Sequence, residues 1–349
     1  MRTHRFAIGL IIYAVVMSLL ILAGLFLFWH YIAAYELSLV EGVMDDYLAD
    51  GLAADVNRDI DRFAASHETV FESAEEIAGA LRSAVENGEL SYRKAAGEYT
   101  NEEPVFSIRL GKQELGRVYF RSYSGGALDF GFSRWFVHRT ELDLDSFSRA
   151  YTVLAPSEAP VTLNGELMTA SNCSVVWEEP AELLPYSDEL NETPLCALYT
   201  FSAISPVRVG LSSGEDEYML SQDENSFTVT QICPSELSEQ LYKYSEGFVR
   251  AYIGFTSKSA GLGAVTGYLI PNSTLYQRMY AALEGLTWVK NVTGRISELS
   301  CDSLQYYGCA ATIEAHYVLI TETGDVNSNM KIVLTQTSAG WRVVEAELF

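Results

Sequence analysis

Basic residues are scarce in this chain. It carries 23 Lys and Arg against 46 Asp and Glu, a formal net charge of −23. Such a surface repels nucleic-acid phosphates, which excludes nucleic acid as a partner and leaves basic partners or cations electrostatically allowed. Histidine is rarer still. His4, His30, His67, His138 and His316 are the full set, and no two stand as HxH or HxxxH. No histidine-based metal motif is present, so no metal or cofactor is expected. Asp143 and Asp145 lie close together but lack the 12-residue EF-hand pattern. The five cysteines, Cys173, Cys196, Cys233, Cys301 and Cys309, contain no CxxC pair, which removes the usual zinc and thioredoxin-type readings. Cys301 and Cys309 flank CDSLQYYGC and are candidates to bridge two neighbouring strands; reduced, buried thiols are the alternative. There is no Pro-rich or Ser-rich linker and no internal repeat.

Complete catalytic motifs are missing too. Gly210-Leu211-Ser212-Ser213-Gly214 matches GxSxG in letters, but acidic turn residues follow where a nucleophile elbow needs a helix. Ser91-Tyr92-Arg93-Lys94 matches SxxK without its SDN and KTG partners. Gly261 to Gly267 is off register for a dinucleotide loop and no strand feeds it. The chain is expected not to be an enzyme.

What is present begins with Phe6–Trp29, 24 residues without a formal charge. As a helix they span roughly 36 Å, enough to cross a hydrocarbon core of about 30 Å. The run is far longer than a signal-peptide core of about 7–15 apolar residues, so it is read as a retained anchor rather than a cleaved leader. Arg2 and Arg5 precede it and no acid occurs before Glu36, which places the amino terminus in the cytoplasm and the bulk outside. Trp29, His30 and Tyr31 suit the outer interface. The expected division is a cytoplasmic tail 1–5 and a membrane helix 6–29, with the remainder extracellular.

Hydrophobic residues make up 48% of the chain and aromatics 12%, a foldable composition. Leu37, Val40, Met44, Leu48, Leu52, Val56, Ile60 and Phe63 recur at helical spacing, with Glu41, Asp45, Asp46, Asp50, Asp55 and Asp59 opposite. This pattern predicts a rigid stalk with a solvated acidic face. Ser73-Ala74-Glu75-Glu76 is a capping box, and the helix it opens should end at Asn87-Gly88. Three strand-like runs follow, so residues 30–148 form a stalk and a first α+β domain. From 149 to 233 short apolar runs alternate with turns, Asn164-Gly165 being a hairpin signal, and predict a small immunoglobulin-like β-sandwich.

After Pro234 the pattern changes again. The aromatic helix SEGFVRAYIGF, a helix around LEGLTWV and terminal strands ending in GWRVVEAEL give paired helices followed by a meandering sheet. This order over 235–349 resembles the NTF2-like (cystatin-like) fold. The fold class is therefore α+β: an N-terminal transmembrane helix, a helix-plus-antiparallel-sheet domain, a β-sandwich, and an NTF2-like domain at 234–349. Similar domains occur on membrane-anchored bacterial envelope proteins as binding or assembly modules, and the family's enzymes use a cone-shaped cavity. Tyr252, Tyr268, Tyr280, Trp288, Glu314 and Tyr317 are the polar-tipped residues expected to line such a cavity here. The functional expectation is a single-pass, non-enzymatic envelope module that binds protein or glycan partners near the cell membrane. The alternative is a tethered domain of the same type that binds or transforms a small molecule.

Overall fold

A computed structural model describes residues 2–123, 129–212, 217–282, 292–322 and 324–349. Backbone packing divides the chain into two units, Met1–Ser148 with Ile204–Pro206, and Arg149–Ala203 with Val207–Phe349. Together they are α+β, with one N-terminal apolar helix and antiparallel and mixed sheets.

The first unit opens with helix α1, Arg2–Leu37. Its segment Leu10–Leu37 contains an apolar window of mean hydropathy 2.8, none of which is buried. The chain then breaks: Ser38 Oγ donates to Tyr35 O and Leu39 is extended. Helix α2, Val40–Asp46, and helix α3, Leu52–His67, are joined by a π-helical turn at Tyr47–Gly51. The predicted stalk is corrected here. Val40, Met44, Leu52, Val56, Ile60 and Ala64 are buried, and with Ile77 and Leu81 they pack on Phe106, Ile108, Leu115 and Val118. The apolar stripe is core, because the sheet covers it.

Helix α4, Ala74–Asn87, starts at the expected capping box: Ser73 accepts from the Glu76 amide, and the Glu76 carboxylate accepts from Ser73 N at 2.9 Å. Strands β1 (Leu90–Lys94), β2 (Val105–Leu110), β3 (Gln113–Ser122) and β4 (Trp135–Leu142) then form an antiparallel sheet in chain order. The SxxK match lies on β1, where positions three apart face opposite ways, and Lys94 pairs with Glu41 at 2.8 Å. Glu72 is buried and accepts from the backbone N–H groups of Ile204 and Ser205, which ties that short segment into this unit.

The second unit does not contain a separate β-sandwich over 149–233. Strands β5 (Arg149–Pro156), β8 (Ser174–Glu178), β9 (Cys196–Ala203), β11 (Tyr218–Asp223) and β12 (Ser226–Gln231) belong to the same nine-stranded sheet as the C-terminal strands. A small sheet adds β6 (Val161–Leu163), β7 (Glu166–Leu167) and β10 (Val209–Leu211). The β6–β7 turn is the expected Asn164-Gly165, with φ of 52° and 93°. One edge of β12 pairs with β11; its other edge meets β5 in parallel at Ser226–Thr228, then β13 at Gln231. That branch merges the two predicted domains.

Helix α5 (Ser235–Thr256), the single turn α6 (Gly263–Thr266) and α7 (Thr274–Ala281) precede β13 (Val292–Tyr306), β14 (Ala310–Thr321), β15 (Gly324–Thr337) and β16 (Gly340–Leu348), an antiparallel meander. Phe248, Val249, Tyr252 and Ile253 of α5 pack on Ile313, Ala315, Tyr317, Met330, Ile332, Leu334 and Val343. Cys301 and Cys309 do not bridge; all five cysteines are free. Cys301 lies within β13 opposite Ala315, whereas Cys309 sits beyond its end in the β13–β14 turn, so strand pairing carries them apart.

Candidate functional site

The predicted cavity residues are only partly assembled. Tyr252 and Tyr317 are buried in the layer between α5 and the sheet, and burial raises both phenols, Tyr317 to about 12. Tyr268 joins them at the edge, with its ring centroid 6.0 Å from Phe248 and 5.0 Å from Tyr244. Tyr280 is exposed. Trp288 lies outside the described residues. Glu314 alternates with Ile313 and Ala315 on β14, so it faces away from α5. The carboxylate and the tyrosines therefore stand on opposite sides of one sheet. Around Tyr252 and Tyr317 the buried core is mainly aliphatic, with Phe248 and Phe255 the other buried rings among the described residues.

Glu314 instead joins a cluster on the other face. Asp302 is its partner across β13, and His316 follows it two residues later on the same face. Asp302, Glu314 and His316 each offer one potential ligand atom, all within 4.8 Å of one another. His316 Nδ1 meets Asn329 Oδ1 at 2.9 Å and Nε2 meets Asp302 Oδ1 at 3.1 Å. These bonds raise the imidazole pKa, with Asn329 the larger influence, and Ser303 and His316 lower that of Asp302. When protonated, the ring donates to both acceptors and forms a surface ion pair with Asp302; a divalent cation would have to displace the Nε2 proton. Reading histidines singly missed this group. The signal is the Glu-Ala-His triplet, because residues two apart on a strand share a face.

A polar groove in the first unit forms a third candidate. It encloses about 380 Å³ and is lined by Asp55, Arg58, Asp59 and Arg62 of α3 and by Val137, His138, Arg139 and Thr140 of β4. The π turn shapes its end. The extra residue turns the Tyr47 ring over Gly51, and its hydroxyl donates to Asp55 Oδ2 at 2.8 Å and meets Thr140 Oγ1 at 2.6 Å. Burial is the main reason that the Tyr47 phenol rises to about 12. Arg58 pairs with Asp55 at 2.6 Å and Arg62 with Asp59 at 3.6 Å. Asp55 and Asp59 are thus paired within the groove, while Arg139 pairs with Glu141 at 3.2 Å, and the lining is suited to a polar, zwitterionic contact. Half of it, the acidic positions at 55 and 59, was visible in the helical pattern; its β4 wall was not.

The GxSxG match lies at the end of β10, on a three-residue strand, with Ser213 and Gly214 outside the described residues. Asp145 Oδ1 lies 3.5 Å from His67 Nε2.

No protein-family model matches the chain, and no curated protein matches it. Among solved structures, one described as an NTF2-like protein involved in plasmid conjugation aligns over 84% of this chain and 86% of its own, at 9% identity and a TM-score of 0.24. A superposition that loose does not place this chain in that fold.

Proposed function

We propose that the protein is a single-pass membrane protein with a cytoplasmic amino terminus, whose two folded units act outside the cytoplasm as a non-enzymatic binding or assembly module. The observation that carries this reading is α1: within Leu10–Leu37 it holds an apolar window of mean hydropathy 2.8 with no buried residue. A soluble protein would have to cover such a surface. The two arginines ahead of it orient it by the positive-inside rule. An NTF2-like plan for residues 234–349 is supported by the order of α5, α6 and α7 before the β13–β16 meander. The role as a binder is supported by separation of the carboxylate from the tyrosines. It is also supported by β8, which ends the large sheet and exposes Val176 and Trp177. An open strand edge carrying apolar side chains accepts an extended peptide from another protein.

Alkaline carbonate extraction tests the anchor: the full chain should stay in the membrane pellet, and release into the supernatant refutes it. Protease added to wall-stripped cells should digest the C-terminal part; protection reverses the topology. Crosslinking and pulldown from membranes should return a protein or glycan partner, and Val176→Asp should reduce its capture. Repeated recovery of no partner refutes the binding role.

A further inference from the structure

We infer that the β3–β4 hairpin is a second membrane contact, which seats the first unit on the bilayer surface beside its own anchor; this rests on the reading of α1 as a membrane helix. The inference starts from length. The Leu10–Leu37 segment is roughly 42 Å long as a helix, more than a hydrocarbon core of about 30 Å requires, so its last turns emerge at headgroup level. Those turns carry Trp29, His30, Tyr31 and Tyr35, all exposed.

The hairpin packs on the same turns. The Phe130 ring lies 6.2 Å from His30 and 5.4 Å from Tyr31, both edge-on. Phe132 lies 5.3 Å from Tyr31 and 5.7 Å from Tyr35. Phe130 is nonetheless 53% exposed, and its φ is 66°, a conformation that bulky residues rarely adopt. A phenylalanine held in a left-handed turn, half open and continuous with the apolar helix, is unexplained by the packing of the unit itself.

The rest of the hairpin matches. Arg121 pairs across with Phe136, and Tyr123 N donates to Arg134 O, so these four residues share one outward face, all exposed. Neither arginine has an ion pair among the described residues. In a chain of net charge −23, two such cations among aromatic rings form the composition of an interfacial anchor: rings at the acyl boundary and guanidinium groups on lipid phosphates. The occupant is the bilayer, because the patch continues the surface that already needs one.

The test places the photo-crosslinker p-benzoylphenylalanine in the full-length protein, in vesicles of phosphatidylethanolamine and phosphatidylglycerol. Three single variants are compared: Leu20→p-benzoylphenylalanine in the anchor, Phe130→p-benzoylphenylalanine in the hairpin, and Val70→p-benzoylphenylalanine, an exposed apolar position without a contact to α1. Irradiation should add the mass of one phospholipid at 20 and at 130 but not at 70. An adduct at 20 alone, or equally at 20, 70 and 130, overturns the hairpin contact and leaves the anchor standing. No adduct at 20 overturns the anchor reading and the inference with it.

Discussion

The two units follow one plan at two scales. In each, helices precede a four-stranded antiparallel meander and bury their apolar stripe on one face of it. The first unit's sheet stops at four strands of 5 to 10 residues, whereas the second unit's meander has strands of 9 to 15 and continues through β12 into four more. The difference shows how one local pattern acquires different surroundings. The small sheet is closed off by α3 and α4 and by the turns that meet α1. The large sheet also buries part of its far face, Ala310, Val333 and Val344 packing with Leu183 and Leu190, and leaves its outer edge to β8.

The sharpest way to break that comparison is to hollow each core separately. Phe106 in β2 and Phe248 in α5 are both essentially inaccessible. Replacing either by Ala should cost about 3–5 kcal/mol through lost transfer energy and a residual cavity. Hydrogen-exchange mass spectrometry should show Phe106→Ala loosening α3, α4 and β1–β4 only, and Phe248→Ala loosening α5 and β13–β16 only. If either variant loosens both sets equally, the units do not fold around separate cores.

A smaller effect distinguishes the helices. Each unit has a helical glycine facing a tyrosine. A Cβ on Gly51 would lie 2.6 Å from Tyr47 Cδ2, on a ring pinned at its hydroxyl by Asp55 and Thr140. A Cβ on Gly247 would lie 2.7 Å from the hydroxyl of Tyr268, the far end of a side chain that can swing. Gly51→Ala should therefore cost about 1–3 kcal/mol by overpacking. Gly247→Ala should come out near neutral, because relief of about 1 kcal/mol in helix propensity offsets the shift. Urea denaturation of both variants checks the ordering, and equal costs would mean that the π turn does not fix Tyr47.

Helix starts give the next step down. Ser73→Ala removes a full capping box and should cost about 1 kcal/mol. Ser273→Ala on α7 removes only the bond that Ser273 Oγ accepts from Tyr276 N at 3.1 Å, and should cost less in the same denaturation experiment.

Legibility in the sequence follows the same division between local and distant. Ser73, Glu76 and Gly88 bounded α4 correctly because caps act within one turn of chain. Asn164-Gly165 marked its hairpin for the same reason. The stripe from Val40 to Ile60 was visible too, but what covers it is set by β2 and β3, some 50 residues later in the chain, and periodicity carries no such information. The boundary at 233 failed likewise: strand runs can be counted locally, but the pairing of β12 with β13, Gln231 opposite Tyr306, cannot. The candidate site suffered most. Tyr252 and Tyr317 are buried in one core, while one step of strand alternation put Glu314 on the opposite face.

That opposite face supplies the smallest prediction, a difference in pH response between the units. In the first unit the phenol of half-buried Tyr47 is raised to about 12, so its hydrogen bonds to Asp55 and Thr140 persist throughout the neutral range. In the second, His316 is held above its ordinary 6.5 by Asn329 and Asp302, and Asp302 is held below its ordinary 3.8 by Ser303 and His316. A raised histidine adds stability that is complete below its unfolded value and is lost as pH rises through the folded one. A lowered aspartate adds stability above its unfolded value that is lost as pH falls through its folded one. The pair therefore contributes over a window bounded by Asp302 on the acid side and His316 on the basic side, and weakly, because both groups face solvent. An NMR titration of the His316 ring should place its midpoint above 6.5, and both Asn329→Ala and Asp302→Asn should lower it. A midpoint that neither substitution moves would mean that Asp302, Glu314 and His316 are neighbours on the sheet without being electrostatically linked.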